Sequence, residues 1–462
     1  LDEILNYAID GIEDDKSVYT KDKLVKALNN IIRPNMTNKE ILNSVIQISL
    51  ELTSDMESKW QYVASKLYVR KLYEEVSKKR KKVGNIYEGL YEFIKDLTDK
   101  GLYGEYILEN YTEEEILELE QEIKPERDYL FNYSGINLLA SRYLIQDYDR
   151  SILELPQQMF MGIAMHLAIP EKKEKRLEWA KRFYDVLSSI KATMATPTMS
   201  NARKPFYQLS SCFIDTVDDS LKGTYKSLDN FANVSKFGGG MGIYMGKVRA
   251  IDSTIRGFKG AAGGVVPWIK LFNDTAIAVD QLGVRNGSVA IWLDAWHKDL
   301  PEFLQLRTNN GDDRKKAHDI FPGICYPDLF WKLAENDIDA TWYMMCPHEI
   351  KTAKGYSLED FYGEEWEEKY YDCVKDEKIS KREMKVKDLV RLIIKSAAET
   401  GTPFTFYRDT VNKMNPNKHK GMIYSSNLCT EIMQNMSSMK IEKSEIVDEN
   451  GDKVIVERTI SG

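Results

Sequence analysis

Cysteine and histidine are scarce, with five of each in 462 residues, and neither type clusters. Cys212, Cys325, Cys346, Cys373 and Cys429 contain no C-x-x-C pair, and an odd, scattered set fits neither a secreted disulfide framework nor a zinc site. A cysteine that matters here is expected to be redox-active or catalytic. His166, His297, His318, His348 and His419 are equally dispersed, so surface or core roles are expected of them and no metal site is. No apolar run approaches the roughly 20 residues of a membrane span. The opening Leu1-Asp2-Glu3-Ile4 lacks a basic stretch followed by an apolar one, and a cytoplasmic protein is expected. Basic residues are outnumbered, giving a net charge of −8, which excludes a broad electrostatic footprint for DNA or RNA. Local arginines and helix N-termini still allow small anionic ligands.

The chain is long enough for two or three units around a large core. Residues 1–85 show helical apolar faces, such as Ile41-Leu42-Val45-Ile46 and Val63-Leu67-Val69-Leu72. Thr37-Asn38-Lys39-Glu40 offers a helix start with a capping box, and Lys78–Lys82 reads as a solvated helix end. Helical patterns continue to about residue 190 and include the apolar Met159–Ala168. Beyond Ala195, short β-prone runs alternate with helical ones. Strands are expected at Gln208–Ile214, Gly242–Met245, Val289–Leu293, Ile320–Tyr326 and Ala340–Met345. Helices are expected at Ser220–Phe237, Val266–Val279, Leu300–Leu306, Pro327–Glu335 and Val386–Thr400. This alternation implies βαβ units in a barrel or open sheet, with active residues at strand ends. The charge-rich Ile441–Thr459, with Asn450-Gly451 between its arms, predicts an exposed hairpin.

Two features could carry chemistry. The stretch Ser425-Ser426-Asn427-Leu428-Cys429-Thr430-Glu431-Ile432, if extended, projects Asn427, Cys429 and Glu431 to one face. A thiol between an amide and a carboxylate suits work on a hydroxylated substrate. The same pattern also describes an ordinary alternating strand whose cysteine packs as a small hydrophobe. The second feature is glycine. Gly238-Gly239-Gly240-Met241-Gly242 follows a predicted helix, and Asp280-Gln281-Leu282-Gly283-Val284-Arg285-Asn286-Gly287-Ser288 forms a second loop. With Arg249 and Arg256 nearby they suggest phosphate contacts, though solvated surface turns read the same way.

Taken together, these segments resemble the large, catalytic subunit of class I ribonucleotide reductase. The resemblance rests on Ala195–Asn201, Ser210-Ser211-Cys212-Phe213 with Asp218-Asp219-Ser220-Leu221, Gly238–Gly242 with Val248-Arg249-Ala250, and Asp280–Ser288. It extends to Trp296-His297-Lys298-Asp299, Thr400-Gly401-Thr402-Pro403 and Ser426–Ile432, whose order and spacing agree across roughly residues 85–440. The fold it implies is α/β: helical N-terminal domains, then the first half of a ten-stranded α/β barrel of the thiyl-radical and glycyl-radical enzyme type. The expected domains are an ATP-cone-like helical region at 1–85, whose nucleotide-binding start is not seen before Leu1, a helical domain at 86–195, and the half barrel at 196–462.

The resemblance also implies roles. Cys429 would carry a thiyl radical, Glu431 would take the proton of the substrate 3′-OH, and Asn427 would hold the ribose hydroxyls. Cys212 would be one of two thiols consumed in reduction, and Thr196, Ser211 and Gly240 would join Asn427 and Glu431 in binding the ribonucleotide. Asp219 would bind an effector's sugar and Arg249 its phosphates, with Lys236 and Arg256 as weaker candidates and ATP, dATP, dTTP or dGTP as effectors. Asp280, Gln281 and Arg285 would relay effector identity to the substrate, although Leu282 stands where a glycine is common in the family. No covalently bound cofactor is implied. The implied partners are a di-metal, radical-generating small subunit, thioredoxin or glutaredoxin, and a second copy paired through the Ser220–Phe237 and Val266–Val279 helices. The second redox cysteine and the relay tyrosines are not met before Gly462, so a complementary C-terminal chain is expected as well. The alternatives are a non-catalytic nucleotide-binding regulator and a cobalamin-dependent reductase with the same barrel.

Overall fold

The computed structural model describes residues 1–11, 18–29, 31–279, 287–437, 440–447 and 453–460. They form two compact units, Leu1–Leu209 and Ser210–Gly462.

The first unit is helical. Several of its helices start where side chains satisfy the orphan N–H groups: Thr37 Oγ1 accepts from Glu40 N at 3.3 Å while Glu40 Oε2 accepts from Thr37 N at 2.7 Å, the expected capping box. Thr112 and Glu115 repeat the device. The helix Pro156–Ala168 is buried nearly all round, as its apolar sequence predicts. Lys78–Lys82 departs from a plain solvated end, since Lys79 pairs with Asp147 and Asp149 and the Arg80 guanidinium lies 4.5 Å from the Phe93 ring centre.

The second unit is built on a parallel sheet of β1 (Cys212–Thr216), β2 (Gly240–Tyr244), β3 (Val289–Asp294), β4 (Ile320–Tyr326) and β7 (Phe404–Tyr407). The strand order is β1-β2-β3-β4-β7, with Cys212 opposite Gly240, Met241 opposite Val289, Val289 opposite Ile320 and Gly323 opposite Phe404. Helices Leu221–Lys236 and Val266–Ala278 make the crossovers from β1 to β2 and from β2 to β3. Side chains alternate between faces. Met241, Ile243, Val289, Ile291, Leu293, Ile320 and Ile324 pack in the cluster that includes the helix residues Phe231, Ile269 and Phe272. Tyr244, Ala290, Trp292, Cys325 and Phe406 face the other way, onto Ile423 and Tyr424. Both faces are covered, which is the usual condition of a parallel sheet.

Several expectations are corrected. Thr341–Met345 (β5) does not join the parallel sheet but pairs antiparallel with Lys381–Lys385 (β6), and the fifth parallel strand is the short β7. β1 begins at Cys212 rather than Gln208, and the helix at Leu300 stops at Phe303. β2 begins at Gly240, two residues before the expected Gly242, so Gly240 lies in the strand and not in a loop. The C-terminal hairpin forms as expected from β8 (Lys440–Val447) and β9 (Lys453–Ile460), while its Asn450-Gly451 turn lies outside the described residues.

Candidate functional site

Residues 425–432 are not a strand. After Tyr424 the segment crosses the face of the sheet and turns at Leu428-Cys429, so the shared face expected from alternation is replaced by a loop. Its course follows β2 backwards: Tyr424 stacks on Tyr244 with ring centres 5.2 Å apart, Asn427 lies over Gly242, and Leu428 lies over Gly240. A methyl at Gly240 would come within 2.6 Å of the Leu428 side chain, and one at Gly242 within 2.6 Å of Asn427 Cα. Gly240 thus makes room for the Leu428 side chain and Gly242 for the backbone of Ser426 and Asn427. Cys212 stands at the first residue of β1, a strand end, while the loop itself lies across the sheet.

Asn427 closes the turn. Its Oδ1 accepts from the backbone N–H groups of Glu431 (3.2 Å) and Ile432 (3.1 Å), while its amide nitrogen is buried with no hydrogen bond among the described residues. Ser426 Oγ donates to Ile432 O at 2.8 Å. Thr430 sits at φ 67°, a left-handed conformation that a β-branched residue adopts at a cost of roughly 1–3 kcal/mol. That conformation turns Glu431 back toward β1. Ser425, Ser426 and Asn427 are buried, whereas Cys429 and Glu431 are exposed.

The turn brings Glu431 to Cys212, whose Sγ donates to Glu431 Oε1 at 3.4 Å. Ser211 is next to it, with Oγ 3.2 Å from Cys212 Sγ and its carbonyl accepting from Gly240 N at 2.8 Å. Burial raises the Glu431 carboxyl, but the polar surroundings supplied by the Asn427 amide, the backbone and the Cys212 thiol bring it below the usual carboxylate value. It is therefore a carboxylate at neutral pH. The other three thiols are buried and pushed upward by that burial, which makes them poor nucleophiles. Cys212, Asn427 and Glu431 thus meet, and Cys429 lies in the turn between Asn427 and Glu431. Thr196 belongs to the first unit, where it begins the short helix Thr196–Asn201 and lies 3.2 Å from the Tyr143 hydroxyl.

Beneath the loop is a polar network that the sequence did not announce. Arg408 and Asp294, both about 1% exposed, pair at 2.6 Å, and the Tyr244 hydroxyl donates to the same carboxylate. Arg408 Nη2 also donates to the Tyr424 carbonyl (3.3 Å), as does Cys325 Sγ (3.3 Å), and Asn412 binds both N and O of Ile423 at 2.9 Å. Lys247 reaches the Tyr424 hydroxyl at 3.3 Å and Glu359 at 3.7 Å. Residues 423–424 are thereby held before the buried Ser425-Ser426-Asn427 begins. No local pattern marks Arg408 in the sequence, because the partners of its guanidinium are 16 to 164 positions away.

A second cluster forms around Asp219. Its carboxylate accepts Arg249 Nε at 3.1 and 3.0 Å, pairs with Arg249 Nη2 at 2.9 Å and also takes the Arg249 backbone N–H at 3.1 Å. Asp299 of the Trp296–Asp299 segment accepts from Ile251 N and Val265 N, which fixes the loop carrying Arg249. Arg256 is exposed at φ 49°, outside this cluster. Lys236 is at the opposite end of the Leu221–Lys236 helix from Asp219, roughly 25 Å away at 1.5 Å per residue, so the structure does not bring it to Arg249 within one chain. Asp280, Gln281 and Arg285 lie outside the described residues. Among the described residues no group of acidic, histidine or cysteine side chains is arranged to hold a metal ion, and no helix is long and apolar enough to cross a membrane.

Family models match two regions, "ribonucleotide reductase, barrel domain" over residues 210–447 and "ribonucleotide reductase, all-alpha domain" over residues 129–207. The chain is 57% identical over 418 residues to the ribonucleoside-diphosphate reductase subunit alpha of Treponema pallidum, covering 90% of this chain and 49% of that protein. It is 42% identical over 404 residues to the Helicobacter pylori subunit alpha (87% and 49%) and 37% identical over 409 residues to that of Synechocystis (88% and 52%). The chain spans about half the length of these curated relatives.

Proposed function

We infer function from one premise: the chain belongs to the ribonucleotide reductase family. On it we propose a catalytic component of ribonucleoside-diphosphate reductase, working with a segment or chain that completes the barrel and with a radical-generating small subunit. The small subunit supplies the oxidising equivalent, by which one electron and one proton leave the Cys429 thiol. The Cys429 thiyl then takes the hydrogen from C3′ of the ribose. Glu431 accepts the proton of the 3′-OH and later returns it, the 2′-OH leaves as water with a proton from one of a pair of thiols, and the pair supplies two electrons and the hydrogen that C2′ gains and becomes a disulfide. Hydrogen returns from Cys429 to C3′, which regenerates the thiyl. Cys212 is one of the two reducing thiols, and Cys325, Cys346 and Cys373 are too deeply buried to be the other. The buried Asn427 amide nitrogen is the donor proposed for a ribose hydroxyl, with Ser211 and Gly240 as further substrate contacts.

The observation that carries this reading is the 3.4 Å contact of Cys212 with Glu431, two residues from Cys429 and 219 positions from Cys212. An ordinary strand cysteine would have no reason to meet a carboxylate there. Asp219 and Arg249 are proposed to bind the sugar and phosphates of a nucleoside triphosphate effector, in a dimer paired through the Leu221–Lys236 and Val266–Ala278 helices. Thioredoxin or glutaredoxin would return the disulfide to thiols. The test is reduction of CDP with ATP and dithiothreitol by the complete mixture, repeated with Cys429→Ala. Turnover abolished by that substitution is expected; turnover that survives it overturns the assignment.

A further inference from the structure

His348 is absent from the residues singled out above, yet it reaches the Asp219 cluster from a third element. It is the second residue of the helix Pro347–Lys354, and its Nδ1 lies 3.5 Å from Asp219 Oδ2, on the carboxylate oxygen that also faces Arg249 Nη2. The Asp219, Arg249 and His348 side chains are 24%, 23% and 32% exposed, so the cluster is neither core nor open surface. Its backbone is tightly held. Three successive N–H groups have three different partners: Arg249 N on Asp219, Ala250 N on Cys346 Sγ at 3.3 Å, and Ile251 N on Asp299 at 3.0 Å. Cys346 immediately precedes the helix that carries His348, so its contact with Ala250 N ties the loop to the element that bears the imidazole.

We propose that His348 is the proton-linked member of this nucleotide site, taking up a proton when the phosphates of a nucleoside triphosphate engage Arg249. This rests on the reading of Asp219 and Arg249 as an effector site. The charged groups around the ring are Arg249 and Asp219 from the two facing elements, and Glu349 and Lys351 from its own helix. Partial burial, and then the Arg249 guanidinium, hold the imidazole below its ordinary value of 6.5, so it is neutral at neutral pH. A polyanion beside Arg249 reverses the local sign and favours the imidazolium. By linkage, affinity rises as pH falls through the bound-state value, by at most tenfold per pH unit for one proton.

The test is calorimetric titration of the complete protein with dTTP between pH 6 and 8 in buffers of different ionisation enthalpy. The nucleotide's own terminal phosphate titrates equally with every variant, so the difference between proteins isolates His348. The wild type is expected to take up more protons than His348→Asn near pH 6.5 and to gain several-fold more affinity on acidification. His348→Lys, charged throughout, is expected to bind with the flatter pH dependence of His348→Asn but with the higher affinity of the acidified wild type. Equal proton uptake by wild type and His348→Asn overturns the inference and leaves the effector reading standing. Failure of dTTP to bind the wild type, or binding unaffected by Arg249→Ala, overturns the effector reading and this inference with it.

Discussion

A methyl group on Gly242 would lie 2.6 Å from Asn427 Cα and overlap the Ser426 carbonyl oxygen. β2 is thus the surface on which the Cys429 segment is seated, and the missing side chain lets one backbone rest on another. Gly242→Ala is expected to displace the segment and to cost roughly 1–3 kcal/mol of stability, the usual range for overpacking a filled interior. Nucleotide reduction should fall by a larger factor than stability accounts for. Denaturant unfolding beside CDP turnover checks both.

Glu431 is held as a carboxylate within reach of a thiol. Glu431→Gln keeps its shape and removes its basicity, so reduction is expected to slow by about 10²–10⁴-fold, the range of a lost general base. Substrate binding, read by equilibrium dialysis, should change little.

The buried Arg408–Asp294 pair sits under Tyr424. Removing one partner leaves an uncompensated charge in the interior, so Arg408→Met or Asp294→Asn alone is expected to lower stability by about 3–5 kcal/mol. The double substitution should recover part of that loss, because no unpaired charge remains. Urea midpoints of the three variants against wild type decide it.

Glu359 is buried, and its Oε2 has no hydrogen-bond partner among the described residues. Burial, only partly offset by Lys247, raises its carboxyl from 4.5 to about 7. A folded-state value above the unfolded one means that the native protein binds the extra proton. This contribution to stability is full below pH 4.5 and is lost as pH rises toward 7, up to about 3 kcal/mol at 1.36 kcal/mol per pKa unit. Glu359→Gln is expected to remove that slope, which unfolding measured at pH 5 and pH 7.5 would reveal.

The elements most legible in the sequence were those with local causes. Val386–Thr400 and Ile320–Tyr326 appear with their expected bounds, because a 3.6-residue apolar period and a short β-branched run suffice to define them. The capping box at Thr37 was legible for the same reason. Ala340–Met345 was misplaced because a β-prone run does not say which strand it will join. β7 was missed because four residues carry too little pattern. Gly240 and Gly242 were visible, but whether a ligand or the protein's own Ser426–Leu428 would approach them was not.

What the sequence determined by itself was a candidate residue set, Cys212, Asn427, Cys429 and Glu431, together with the alternation of strands and helices that builds a parallel sheet. Only the tertiary structure decided how the set is assembled. The expected alternation of Asn427, Cys429 and Glu431 gave way to a turn, since Asn427 takes the Glu431 and Ile432 N–H groups and Thr430 accepts a left-handed backbone to allow it. Arg408, Asp294 and His348 belong wholly to that second level. Their meaning comes from partners dozens to more than a hundred positions away, whose proximity depends on the whole sheet having formed.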